Sequence, residues 1–233
     1  MIQRLQEASR HGAQGAIGPP VAPRSETANP DRDPYVWRTL AITQVGHIVD
    51  AFDLGDPLHD EPLEIAGRKV PYYDPTKTTL IRMRKVGSDQ PYRFYLSCED
   101  GAFHLNGTSP PVHQANRVAG LQLNEETAPA YTWFFTYFVR GEQGAFYVLT
   151  DADDPMLPRA LLDDPVVPLG ELIRPPVVDS IDKKGSITCR VQIIYGTHLF
   201  AAEMVVHQSG MVEMADDEPL ITELAAPIHA PIG

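Results

Sequence analysis

Ser97 and His104 are the two residues whose types and spacing come nearest to a catalytic arrangement. Between them lies Asp100-Gly101, a dipeptide suited to a two-residue type I′ hairpin turn, where both central positions need φ above zero. Such a turn pairs Glu99 with Ala102, Cys98 with Phe103, Ser97 with His104 and Leu96 with Leu105. Ser97 and His104 then stand opposite each other, flanked by Arg93, Tyr95 and Asn106. A histidine beside a serine hydroxyl can act as base to a nucleophile, so the pair is the candidate catalytic site of a hydrolase-like enzyme. That chemistry also needs an oriented imidazole and an oxyanion hole, and no GxSxG elbow supplies a strained turn here. The competing reading is a polar sheet face turned to solvent.

Other chemistry-bearing groups are scattered. His47, His113 and His229 are isolated in sequence, and no HExxH or Cys/His cluster places two zinc ligands together. His59-Asp60-Glu61 and the group Asp151, Asp153, Asp154 read as solvated loops, because the spacing lacks the ligand ladder of a calcium loop. Cys98 and Cys189 both fall on expected apolar faces, where a thiol behaves as a small hydrophobe. No glycine-rich phosphate cradle follows a strand. The sequence therefore gives no reason to expect a metal or a cofactor.

The densest apolar stretch is Tyr131-Thr132-Trp133-Phe134-Phe135-Thr136-Tyr137-Phe138-Val139. Thr127 as N-cap, Pro129 in the first turn and Gly141 as C-cap favour a helix over Ala128 to Arg140. The aromatic and threonine content keeps a strand as the alternative. At helical spacing Tyr131, Phe134, Phe135 and Phe138 share one stripe, with Trp133 and Tyr137 on its neighbour. Tyr131, Phe134 and Phe138 are candidate ligand-binding residues lining an apolar pocket, against the plainer reading of core.

These groups need a scaffold. Residues 1–34, rich in glycine and proline, read as a flexible arm, residues 35–215 as a single globular domain, and residues 216–233 as an acidic tail. The proline-rich crossover 151–184 is the one place for an internal boundary, and it is expected to wander over the surface. Arg38 to Val45 is expected as a strand, Leu63 to Tyr73 as a hairpin turning at Ala66-Gly67, and Thr78 to Val86 as a strand leading into Tyr92 to Cys98. A helical turn is expected at Val112 to Arg117, and a strand at Ala145 to Thr150. Near the C-terminus, a turn at Gly196-Thr197 pairs Tyr195 with His198, Ile193 with Phe200, Val191 with Ala202, Arg190 with Glu203 and Cys189 with Met204. A turn at Gln208-Ser209-Gly210 continues the same face into Val212 and Met214. The fold class is α+β: mainly antiparallel β-sheet built from hairpins, one central aromatic helix and disordered termini.

The 233 residues carry a formal net charge of -12, which argues against nucleic-acid binding and for a neutral or basic partner. No secretory leader or apolar run long enough for membrane insertion is visible, and two widely spaced cysteines suit a reducing compartment, so a cytoplasmic protein is expected. The expected role is a non-catalytic protein-interaction or structural module with an unknown protein partner, and a homo-oligomer is compatible with it. The alternatives are a hydrolase-like enzyme using Ser97 and His104, and a binder of a small apolar ligand beside the aromatic helix.

Overall fold

The computed structural model describes residues 37–52, 62–150 and 172–224. It is an α+β protein with two five-stranded antiparallel sheets. The described residues divide into two compact units, one ending at Leu123 and one starting at Asn124.

The first unit carries β1 (Arg38–Thr39), β2 (Leu63–Arg68), β3 (Thr79–Lys85), β4 (Arg93–Cys98) and β5 (Gly101–His104), paired in that order. The expected strand from Arg38 to Val45 is only two residues long. A 3₁₀ turn at Ile42–Gln44 and helix α1 (Gly46–Ala51) follow it, and the Gln44 side-chain oxygen accepts the Ala41 N–H at 2.8 Å. The apolar spacing fitted neither period because it serves both elements: Leu40, Ile42, Val45 and Ile48 all pack on Ile65, Ile81, Met83 and Tyr95 of the sheet.

The expected hairpin at Ala66-Gly67 is likewise corrected. β2 runs straight through, with Ala66 opposite Arg82 and Gly67 opposite Ile81. Gly67 marks a close approach instead of a turn: a β-carbon there would stand 2.6 Å from Leu40 Cδ1.

The β4–β5 hairpin forms two residues out of the expected register. Ser97 pairs with Ala102 and Tyr95 with His104, so Glu99-Asp100 makes the turn and Gly101 opens the strand at φ 137°. Two contacts account for the shift. The His104 ring stacks on Tyr95 at 5.0 Å, and Asn106 leaves the ladder to accept both the backbone N–H and the hydroxyl of Thr108. Helix α2 (Ser109–Val118) starts there, longer than the expected turn and with two prolines in its first turn.

On the opposite face of the sheet, the pairing aligns Arg68, Arg82 and Arg84 with Leu80, Phe94 and Leu96. Trp37 and Tyr92 interleave with these arginines: Arg82 lies 4.6 Å from the Trp37 ring centre and 4.7 Å from that of Tyr92. Arg84 closes the row on Tyr92 and donates to Glu64 at 2.8 Å.

In the second unit, helix α3 (Ala128–Phe138) packs on β6 (Tyr147–Leu149), β7 (Val177–Ile181), β8 (Ile187–Tyr195) and β9 (His198–Val206). It is a helix as expected, but its caps differ. Asn124 Oδ1 accepts the Glu126 and Thr127 N–H groups, and Thr127 Oγ1 accepts the Asn124 N–H, a reciprocal box one turn before Thr127. The helix closes at Val139. Gly141 instead leaves room for the Tyr195 hydroxyl, which accepts the Gln143 N–H at 2.9 Å.

Every side chain from Tyr131 to Phe138 is buried. Thr132 and Thr136 survive inside because each hydroxyl donates to the carbonyl four residues earlier, Ala128 and Thr132.

The β8–β9 hairpin has the expected register at every pair named above, with Gly196 at φ 60°. Gly210, at φ 79°, completes the expected three-residue turn into β10 (Val212–Ile221). That strand runs past Met214 to Ile221, further than the tail boundary expected at Asp216, with irregular register at Met214/Asp216 and Pro219/Ile221. A bulged edge strand has room for both the acids and the proline. β7 is the other element missed. It follows Pro175-Pro176, pairs with β8, and leaves Val177 and Ile181 about half exposed. Residues 1–36, 53–61, 151–171 and 225–233, with the arm, most of the two acidic loops and half of the tail, lie outside the described residues.

Gly67→Ala should force Leu40 aside and lower stability by about 1–3 kcal/mol, the usual range for overpacking. A urea midpoint equal to that of the parent protein would show that Leu40 does not need this gap.

Candidate functional site

Ser97 lies on the sheet face covered by α1, between Thr79 of β3 and Ala102 of β5. The histidine within hydrogen-bond distance of it is His47, not His104: the separation from Ser97 Oγ to His47 Nε2 is 2.9 Å. With the imidazole proton on Nδ1, the hydroxyl donates to Nε2. Fifty residues separate the two, and no sequence periodicity joins them. Only the docking of α1 through Val45 and Ile48, both 0% exposed, brings His47 over β4.

His104 is the diagonal neighbour of Ser97 on this face. It stacks on Tyr95 and meets Phe52 edge-on at 6.0 Å. Its Nε2 is buried without a hydrogen-bond partner among the described residues. Burial, helped by the nearby Arg93, pushes its pKa below the ordinary histidine value. The ring is half-buried, and its surroundings favour the neutral form.

Lys69 adds a cation to the same region. Its Nζ donates to Thr79 Oγ1 at 2.8 Å and to the Thr78 carbonyl at 3.1 Å, and burial lowers its pKa. Among the described residues no carboxylate forms an ion pair with His47 or His104. A cavity of about 190 Å³ on this unit takes in Met83, Arg93 and Tyr95 but not Ser97.

In the second unit, Tyr131, Phe134 and Phe138 are each 0% exposed. The Tyr131 hydroxyl donates to the Gly210 carbonyl at 2.7 Å, and Phe134 packs on Phe138 at 5.0 Å. The adjacent stripe stacks Trp133 on Tyr137 at 4.6 Å, where burial holds the Tyr137 phenol up at a pKa of about 12. Cys98 and Cys189 are free and buried, and burial raises both thiols. The thiolate needed for nucleophilic attack is disfavoured at both.

A cleft of about 360 Å³ opens across β8, β9 and β10 in this unit. Arg174, Pro175 and Val177 wall one side and Asp216, Asp217 and Glu218 the other, with Gln192 and Ala201 between them. Arg190 sits in it, donating to Asp179 at 2.7 Å and lying 3.5 Å from Glu203. Gln192 fixes the near wall: its side-chain oxygen accepts the Arg174 N–H and its amide nitrogen donates to the Leu172 carbonyl. The Arg190 and Glu203 pairing followed from the hairpin register. Asp179 and the acidic wall did not, because β7 and the second half of β10 were read as irregular.

His104 has a depressed folded pKa, so its contribution to stability is complete above the unfolded value near 6.5. It is lost as pH falls from there towards the lower folded value. The urea midpoint should therefore drop between pH 7.5 and 5, and His104→Phe, which keeps the ring stack, should flatten that drop. Both cysteines should resist a thiol reagent such as dithionitrobenzoate until the protein unfolds; reaction in the native state would contradict their burial.

No helix among the described residues is long and apolar enough to cross a membrane. Compared with protein-family models, with curated proteins and with solved structures, the chain matches none.

Proposed function

We propose that this protein is an interaction module that docks a basic, extended segment of a partner protein in the cleft across β8, β9 and β10. The observation that carries the reading is the charge of that cleft. Among the described residues that line it, four are acidic, Glu203, Asp216, Asp217 and Glu218, against two guanidinium groups, Arg174 and Arg190, and Arg190 is already held by Glu203 and by Asp179 beside the cleft. An excess of negative charge over a concave surface steers and retains a cationic ligand. The net charge of -12 supports the same choice.

The outer strand adds a second mode of attachment. β10 pairs with β9 on one side only among the described strands, so its other edge has backbone donors and acceptors available to an added strand. An extended basic segment can use both at once, with backbone pairing for affinity and the acidic wall for selection.

Affinity purification from the native cell, followed by mass spectrometry, tests this directly. A stoichiometric partner should be recovered at low salt and released as ionic strength rises. The triple variant Asp216→Lys, Asp217→Lys, Glu218→Lys should weaken its retention by at least about tenfold through like-charge repulsion. Retention unchanged by this reversal would remove the cleft as the docking surface.

A further inference from the structure

We propose that Ser97 and His47 also form a nucleophile and base pair that takes an acyl group from small activated esters. This capability is separate from partner docking and lies in the other unit.

The pair meets the geometric requirement first. Ser97 Oγ is 2.9 Å from His47 Nε2, within the distance needed for proton transfer. Both residues are held from below. Ser97 is fixed in a central strand between Thr79 and Ala102, and His47 rides on a helix anchored by Val45 and Ile48. Both are also reachable, since His47 is exposed and Ser97 half-buried. Lys69, whose ammonium donates to the Thr79 hydroxyl across the strand pair from Ser97, supplies positive charge beside an oxyanion.

In the reaction, the Ser97 oxygen bonds to the ester carbonyl carbon while its proton passes to His47 Nε2. The carbon–oxygen bond to the leaving group then breaks, and that oxygen takes the proton from His47. Water, deprotonated by His47, cleaves the acyl-serine and restores the hydroxyl. Esters with good leaving groups are the fitting class, because no carboxylate among the described residues supports the imidazolium and amides need more help.

The alternative is that the bond merely latches α1 to the sheet, and a fluorophosphonate probe on the full chain separates the two. The expected result is one adduct, mapped by peptide mass spectrometry to Ser97 and absent from Ser97→Ala. His47→Gln keeps a side-chain amide to bond Ser97 and so keeps the latch, but cannot take the proton. Its labelling rate should fall on the order of a hundredfold, the scale of general-base catalysis. Absence of labelling at Ser97 in the folded protein, or a wild-type rate in a folded His47→Gln, would overturn the proposal.

Discussion

Helix α3 has no face to give to water. All eight side chains from Tyr131 to Phe138 are buried, so the second unit must surround a cylinder and not merely cover a stripe. That constraint organises what lies around it. Thr132 and Thr136 return their hydroxyls to the helix's own carbonyls, and the Tyr131 hydroxyl reaches the Gly210 carbonyl in the turn between β9 and β10. Six aromatic rings, from Tyr131 to Phe138, are thereby placed in the interior of the unit.

The first unit solves a different problem with a thinner cover. One face of its sheet carries Ile65, Ile81, Met83 and Tyr95, and a helix of six residues with its preceding turn closes over them. So short a helix has little stability of its own and is held by what it packs on. The proposed nucleophile pair follows from that economy. Where the cover ends, a sheet serine and a helix histidine meet at the rim, half in and half out of water.

The parts legible in the sequence were those with local causes. The β8–β9 register was readable because one turn, placed at Gly196-Thr197, put Cys189, Val191, Ile193, Phe200, Ala202 and Met204 on a single face, and a second turn chose the same face. The β4–β5 hairpin was read two residues out, yet its faces came out correctly, because a shift of two preserves alternation. What changed was the opposite neighbour, and a candidate site depends on neighbours. His47 could not be found at all: its partner is fifty residues away, and only tertiary packing connects them. β7 was hidden behind two prolines, and β10 behind a run of acids that an edge strand tolerates.

β8 is shared along one edge by two strands. Leu149 of β6 pairs with Gln192, and Val177 of β7 pairs with Arg190, so the chain leaves and re-enters the sheet two positions apart on the same strand. The connection from Leu149 to Val177 is therefore closed by the fold itself, and its described end is tied to β8 by the buried Ile173 and by the bonds of Leu172 and Arg174 to Gln192. The entropy of such a closure grows only with the logarithm of its length, each doubling adding about 0.6 kcal/mol. The cost of holding these two ends together on β8 is consequently almost independent of how many residues join them.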